Sequence, residues 1–84
     1  MKTLTIRDFE LTPLNYYIHI EGEYEVALEP LLTGHYYVAV YKISDGQDYD
    51  LMGRKLKTSF NHGYELQHEL LTLANKSYRK YVVK

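Results

Sequence analysis

From Asn15 to Glu29 the chain alternates at every second position, and this constrains its fold more than any other feature. Ile18, Ile20, Tyr24, Val26 and Leu28 fall on one side, and Tyr17, His19, Glu21, Glu23, Glu25 and Glu29 on the other. A period of two marks a strand with one face in a core and one in water. Gly22 interrupts it, either as a bulge in one long bent strand or as part of a tight Glu21-Gly22 hairpin turn between two short ones. Pro30 and Gly34 bracket a loop. His35–Ile43 follows with Tyr36, Val38 and Val40 on one face and Tyr37, Ala39, Tyr41 and Ile43 on the other. A strand apolar on both faces belongs in the middle of its sheet.

Weaker strands flank these. Thr3–Ile6 reads as a first strand, with a bulge or turn at Arg7–Asp8 where Phe9 and Leu11 resume in the other phase. Pro13 cannot sit inside a ladder, so a connection is expected near Thr12–Leu14. Asp45-Gly46 is a hairpin turn signal. Tyr49–Thr58 reads as an edge strand, its second half rich in Arg and Lys.

From Asn61 the period becomes helical. Leu66, Leu70, Leu73, Ala74, Ser77 and Tyr81 form one stripe, with Leu71 and Tyr78 beside it. Asn61 is a suitable N-cap, weakened by Gly63 in the first turn. Acidic residues come early in this helix and basic ones late, which suits its dipole. The chain therefore reads as a single α+β domain over 1–84, an antiparallel β-meander of about four strands with one C-terminal α-helix packed on one face. One helix covers one side of such a sheet and leaves the other open.

Charge is divided along the chain. Asp8, Glu10, Glu21, Glu23, Glu25, Glu29, Asp45, Asp48 and Asp50 face only Lys42 in the first part, whereas Arg54, Lys55, Lys57, Lys76, Arg79, Lys80 and Lys84 face Glu65 and Glu69 in the second. A net charge of −1 thus hides two opposed blocks, a field that steers charged partners. Cysteine is absent, which excludes disulfides, thiolate metal sites and cysteine nucleophiles. Met1–Leu11 lacks the apolar core of a secretory signal, and the longest apolar run, Tyr36–Tyr41, is too short to cross a bilayer. A reducing cytoplasm is the expected location.

Tests for chemistry return little. His68-Glu69 opens like a zinc-protease helix, but Thr72 stands where the second histidine belongs. Glu65 and His68 have the carboxylate–histidine spacing of di-iron bundles, which need facing helices that this chain lacks. Asp45-Gly46-Gln47-Asp48-Tyr49-Asp50 clusters carboxylates in the wrong order for a calcium loop. No nucleophile elbow surrounds Ser44, Ser59 or Ser77, and the five glycines are too dispersed for a phosphate loop. Neither enzymatic activity nor a metal or cofactor is expected.

Binding surfaces are more informative. In a single strand, Glu21, Glu23 and Glu25 would repeat at roughly 6.6–6.8 Å. Like charges so placed repel unless cations answer them, either from Arg54, Lys55 and Lys57 on a neighbouring strand or from a partner. The expected partner-binding set is Tyr17, His19, Glu21, Glu23, Glu25, Tyr37, Tyr41, Asp48, Tyr49 and Asp50. Arg54, Lys55, Lys57, Arg79, Lys80 and Tyr81 form a second set, in which cations interleaved with aromatics suit nucleic acid. A pI of 6.4 weighs against a dedicated nucleic-acid binder. A homo-oligomeric subunit joined through the open tyrosine face is a third reading.

In format, the chain resembles the small proteins with which phages and mobile elements inhibit host defences, including the anti-CRISPR group. The likeness lies in its size, the absence of cysteine, a small sheet with one helix, and an acidic, tyrosine-rich face (Glu21, Glu23, Glu25, Tyr37, Tyr41, Tyr49). It implies a non-enzymatic inhibitor that docks onto a larger nucleic-acid-handling protein with a basic surface. It assigns no individual residue.

Overall fold

The computed structural model describes residues 3–45, 48–57 and 64–83. Five strands, β1 (Glu10–Leu11), β2 (Tyr17–Glu21), β3 (Tyr24–Pro30), β4 (Tyr36–Ser44) and β5 (Asp48–Lys57), form one antiparallel meander in chain order. One helix, α1 (Tyr64–Tyr78), packs on one face and ends in a π-helical turn, Arg79–Val83. The α+β architecture matches the expectation, with five strands rather than about four. No described helix is long and apolar enough to cross a membrane.

The core lies between α1 and the middle of the sheet. Val26 and Leu28 from β3 meet Val38 and Val40 from β4, and Leu70, Ala74 and Tyr78 close over them at one-turn intervals. Leu4 and Phe9 complete the cluster. Burying each large apolar side chain contributes about 1.5–3 kcal/mol. The helix stripe is centred on Tyr78, which is fully buried, while Tyr81 is only partly so. Asn61 and Gly63 lie outside the described residues, as does the side chain of Leu66.

Thr3–Ile6 is not a strand. Both backbone polar groups of Leu4 are taken by the Asn75 side chain, whose Oδ1 accepts from Leu4 N at 2.7 Å while its Nδ2 donates to Leu4 O at 3.0 Å. Nothing is left of Leu4 for a ladder. A 3-10 turn follows at Ile6–Asp8, held by the Thr5 N–H donating to Asp8 Oδ2 at 2.7 Å, and only then does β1 begin.

Turns set the register. Pro13–Asn15 and Leu32–Gly34 are loops of one design, each a turn closed by an i+3 hydrogen bond and followed by a left-handed residue, Asn15 at φ 64° and Gly34 at φ 88°. Gly22, at φ 60°, is the first residue of a two-residue Gly22-Glu23 turn between Glu21 and Tyr24, which are directly paired. This is the hairpin alternative, one residue later than Glu21-Gly22. Of Asp45-Gly46, Asp45 is described, at φ 53°, and Gly46 is not.

Candidate functional site

A two-residue turn reverses the parity of a strand pattern. Directly opposed residues share a face, so Tyr17, His19 and Glu21 lie with Leu28, Val26 and Tyr24 on the side of the helix. Ile18 and Ile20 lie with Ala27 and Glu25 on the other. The expected row of Glu21, Glu23 and Glu25 therefore does not exist. Glu21 faces α1, Glu23 sits in the turn and Glu25 belongs to the open side.

Glu21 is a structural residue. Tyr78 Oη donates to its Oε2 at 2.7 Å, and His19 Nε2 lies 3.2 Å from its Oε1. His19 Nδ1 is 3.0 Å from the Asp8 carbonyl oxygen, and its ring stands between those of Phe9 and Tyr78. Burial, reinforced by the hydrogen bond to Glu21, pushes the Tyr78 hydroxyl up to about 12. Together these groups fasten α1 to β2. Tyr17 packs against the same core, so Tyr17, His19 and Glu21 lie on the helix side and not with the other expected partner-binding residues on the open face.

The open face carries the rest. Its floor is Ala27 and Ala39, directly opposed and fully buried although the described helix packs on the other face. Arg54 stands opposite Ala39 on β5. The Arg54 guanidinium lies 4.7 Å from the centre of the Tyr37 ring. Tyr41 Oη donates to Glu29 Oε2 at 2.6 Å and lies 3.5 Å from an Arg54 nitrogen, which is itself 3.9 Å from Glu29 Oε1. Burial and the contact with Glu29 push the Tyr41 hydroxyl upward, so it remains a neutral donor. Tyr49 meets Tyr41 edge-on at 6.2 Å.

A bulge shapes the far edge. Pairing passes from Val40 with Gly53 to Tyr41 with Leu51, which leaves Met52 without an opposite residue. The bulge reverses parity again, so β5 offers both Arg54 and Leu56 and both Tyr49 and Leu51 to the open face. Ile20, Tyr49, Leu51 and Leu56 are each about half exposed and ring this surface with apolar groups.

Glu25 is the odd member. It is only 9% exposed, yet it makes no hydrogen bond or ion pair among the described residues. Burial first, and the neighbouring Glu29 second, raise its carboxyl above the ordinary carboxylate range. A partly desolvated carboxylate without a partner is weakly solvated, and a cation beside it would be favourable.

Of the expected partner-binding residues, the structure gathers Glu25, Tyr37, Tyr41 and Tyr49. Asp48 and Asp50 oppose Ser44 and Lys42 on the helix side, exposed at the start of β5. Ile20, Glu29, Leu51, Arg54 and Leu56 were not in that set; Glu29 follows Glu25 along β3, and the two parity reversals bring the others to this face. The basic set divides too. Arg54 belongs to the open face, Lys57 pairs with Glu69 at 3.7 Å, and Arg79 lies 3.4 Å from Thr3 Oγ1 on the opposite flank of the helix. Lys55, Lys80 and Tyr81 stay together along the seam between β5 and α1. Among the described residues, no three His, Cys, Asp or Glu side chains are grouped so as to hold a metal ion. No known protein family matches the chain, and no curated protein or solved structure is significantly similar to it.

Proposed function

We propose that this chain is a non-enzymatic binding module that docks onto a larger protein through the open face of its sheet. The observation that carries this reading is Glu25, a partly desolvated carboxylate with no partner among the described residues, within a surface of tyrosines and half-exposed apolar side chains. Tyr37, Tyr41 and Arg54 are held in place by one another and by Glu29, so little side-chain freedom is lost when a partner arrives. Tyrosine and arginine in such settings are the usual anchors of protein interfaces.

The partner this face fits presents an arginine or lysine among apolar groups, the cation reaching Glu25. Nucleic-acid-handling proteins expose cations of this kind, and occupying one blocks its access to phosphate. Inhibition of such a protein is the biological role we assign. A second copy of the chain fits less well, because an isologous pairing sets the patch against itself and Arg54, its one cation among the described residues, is already committed.

The test is capture from lysate with the native chain and with Glu25→Lys and Leu51→Asp variants in parallel, followed by association kinetics with the captured protein. Glu25→Lys is expected to slow association about tenfold or more, and Leu51→Asp to shorten the lifetime of the complex. Folded variants that bind with native kinetics would remove the open face from the account. Concentration-dependent sedimentation of the chain alone, abolished by Leu51→Asp, would replace the partner with a second copy.

A further inference from the structure

On the helix side of β5 lies a groove of about 550 Å³, bounded by Gly53, Arg54 and Lys55 on the strand and by Leu73, Lys76, Ser77, Lys80 and Tyr81 on the helix and its π-helical turn. Among the described residues, no carboxylate lines it. The Arg54 guanidinium is engaged on the opposite face with Tyr37 and Glu29, which leaves Lys55, Lys76 and Lys80 as the groove's cations. All three are exposed, and none has an ion-pair partner among the described residues. Lys80 is positioned, its Nζ lying 5.2 Å from the centre of the Tyr81 ring. Tyr81 in turn rests on Gly53 so closely that a Cβ there would lie 2.5 Å from its hydroxyl.

We infer that this groove binds the phosphates of a single nucleic-acid strand. Three ammonium groups without ion-pair partners, around a concavity with no acid among the described residues, make a local positive field, although the whole chain is slightly acidic. The field is also linear. Lys76 and Lys80 are four residues apart, roughly 6 Å along a helix axis. A second depression continues the seam past Leu73 and Lys76 to Lys57 and His68, where Glu69 pairs with Lys57 and ends the unpaired run. A line of cations suits a ligand whose charges also repeat along a line. A cleft between one strand and one helix admits a single chain, not a duplex. Tyr81 is held between Gly53 and Lys80, so it shapes the groove rather than stacking on a base. This inference stands independently of the open face.

Fluorescence anisotropy with an end-labelled oligothymidylate of about twelve nucleotides reads the binding directly. Three released counterions correspond to a slope of about −2 in log affinity against log salt concentration. Lys76→Gln and Lys80→Gln together are expected to weaken binding at least tenfold at low salt. Arg79→Gln removes the same charge from the other flank of the helix and is expected to leave affinity and slope unchanged. All three positions are exposed, and circular dichroism verifies that each variant folds. Absence of binding at the lowest salt, a salt-independent affinity, or equal losses from Arg79→Gln and Lys76→Gln would overturn the inference.

Discussion

Asn75 shows how much one amide can decide. Its side chain satisfies the N–H and C=O of Leu4 and also donates to the Leu71 carbonyl at 2.9 Å, so it joins the N-terminal segment to the helix. Replacing it with alanine leaves both Leu4 groups buried without partners, and we expect chemical denaturation to show a loss of about 2–4 kcal/mol. Tyr78 makes the equivalent bond on the β2 side. Its hydroxyl titrates near 12 in the folded chain against the ordinary 10.0. Because the folded value is raised, the group's contribution is complete below about pH 10 and is lost as pH rises toward 12. Tyr78→Phe should cost about 1–2 kcal/mol at neutral pH, by leaving Glu21 without its donor, and should flatten the alkaline limb of a stability profile. Neither role was legible in the sequence. An asparagine and a tyrosine within a helical stripe look the same whether they fasten distant segments or fill space.

At the scale of elements, strands and helix were readable because their periods of two and of 3.6 are properties of the local chain. The central position of β4 followed from its two apolar faces. The faces of β2 and β5 did not follow, because a single residue gained or lost at a turn or bulge exchanges inside and outside for the rest of a strand. Gly22-Glu23 does this once and Met52 a second time, which is why the glutamate row read from alternation dissolves and Leu51 and Leu56 join the tyrosines. Gly53 beside the bulge has a separate duty, since Tyr81 occupies the space that a side chain would need. Gly53→Ala should destabilise the fold by about 1–3 kcal/mol, the cost of overpacking. Combining it with Tyr81→Ala should recover part of that loss, a coupling that a double-mutant cycle measures.

For the whole molecule, the division of charge read from the sequence survives in altered form. Part of the acidic block is spent internally, Glu21 on Tyr78 and Glu29 on Tyr41 and Arg54, and the basic block lies on both sides of β5. Glu25 is kept partly desolvated, with no partner among the described residues. Since its folded carboxyl titrates above the ordinary 4.5, its contribution to stability is present at acid pH and lost as pH rises through the folded value. Glu25→Gln should therefore stabilise the chain at neutral pH while weakening docking, the opposition expected of a residue retained for binding. The docking face is tested most directly by following the Glu25 carboxyl carbon by NMR through a pH titration, first in the isolated chain and then with the captured partner bound. A titration above the ordinary carboxylate range in isolation, falling below it in the complex as a partner cation pairs with it, is the expected result. A Glu25 that titrates ordinarily alone and does not move on binding would contradict the account.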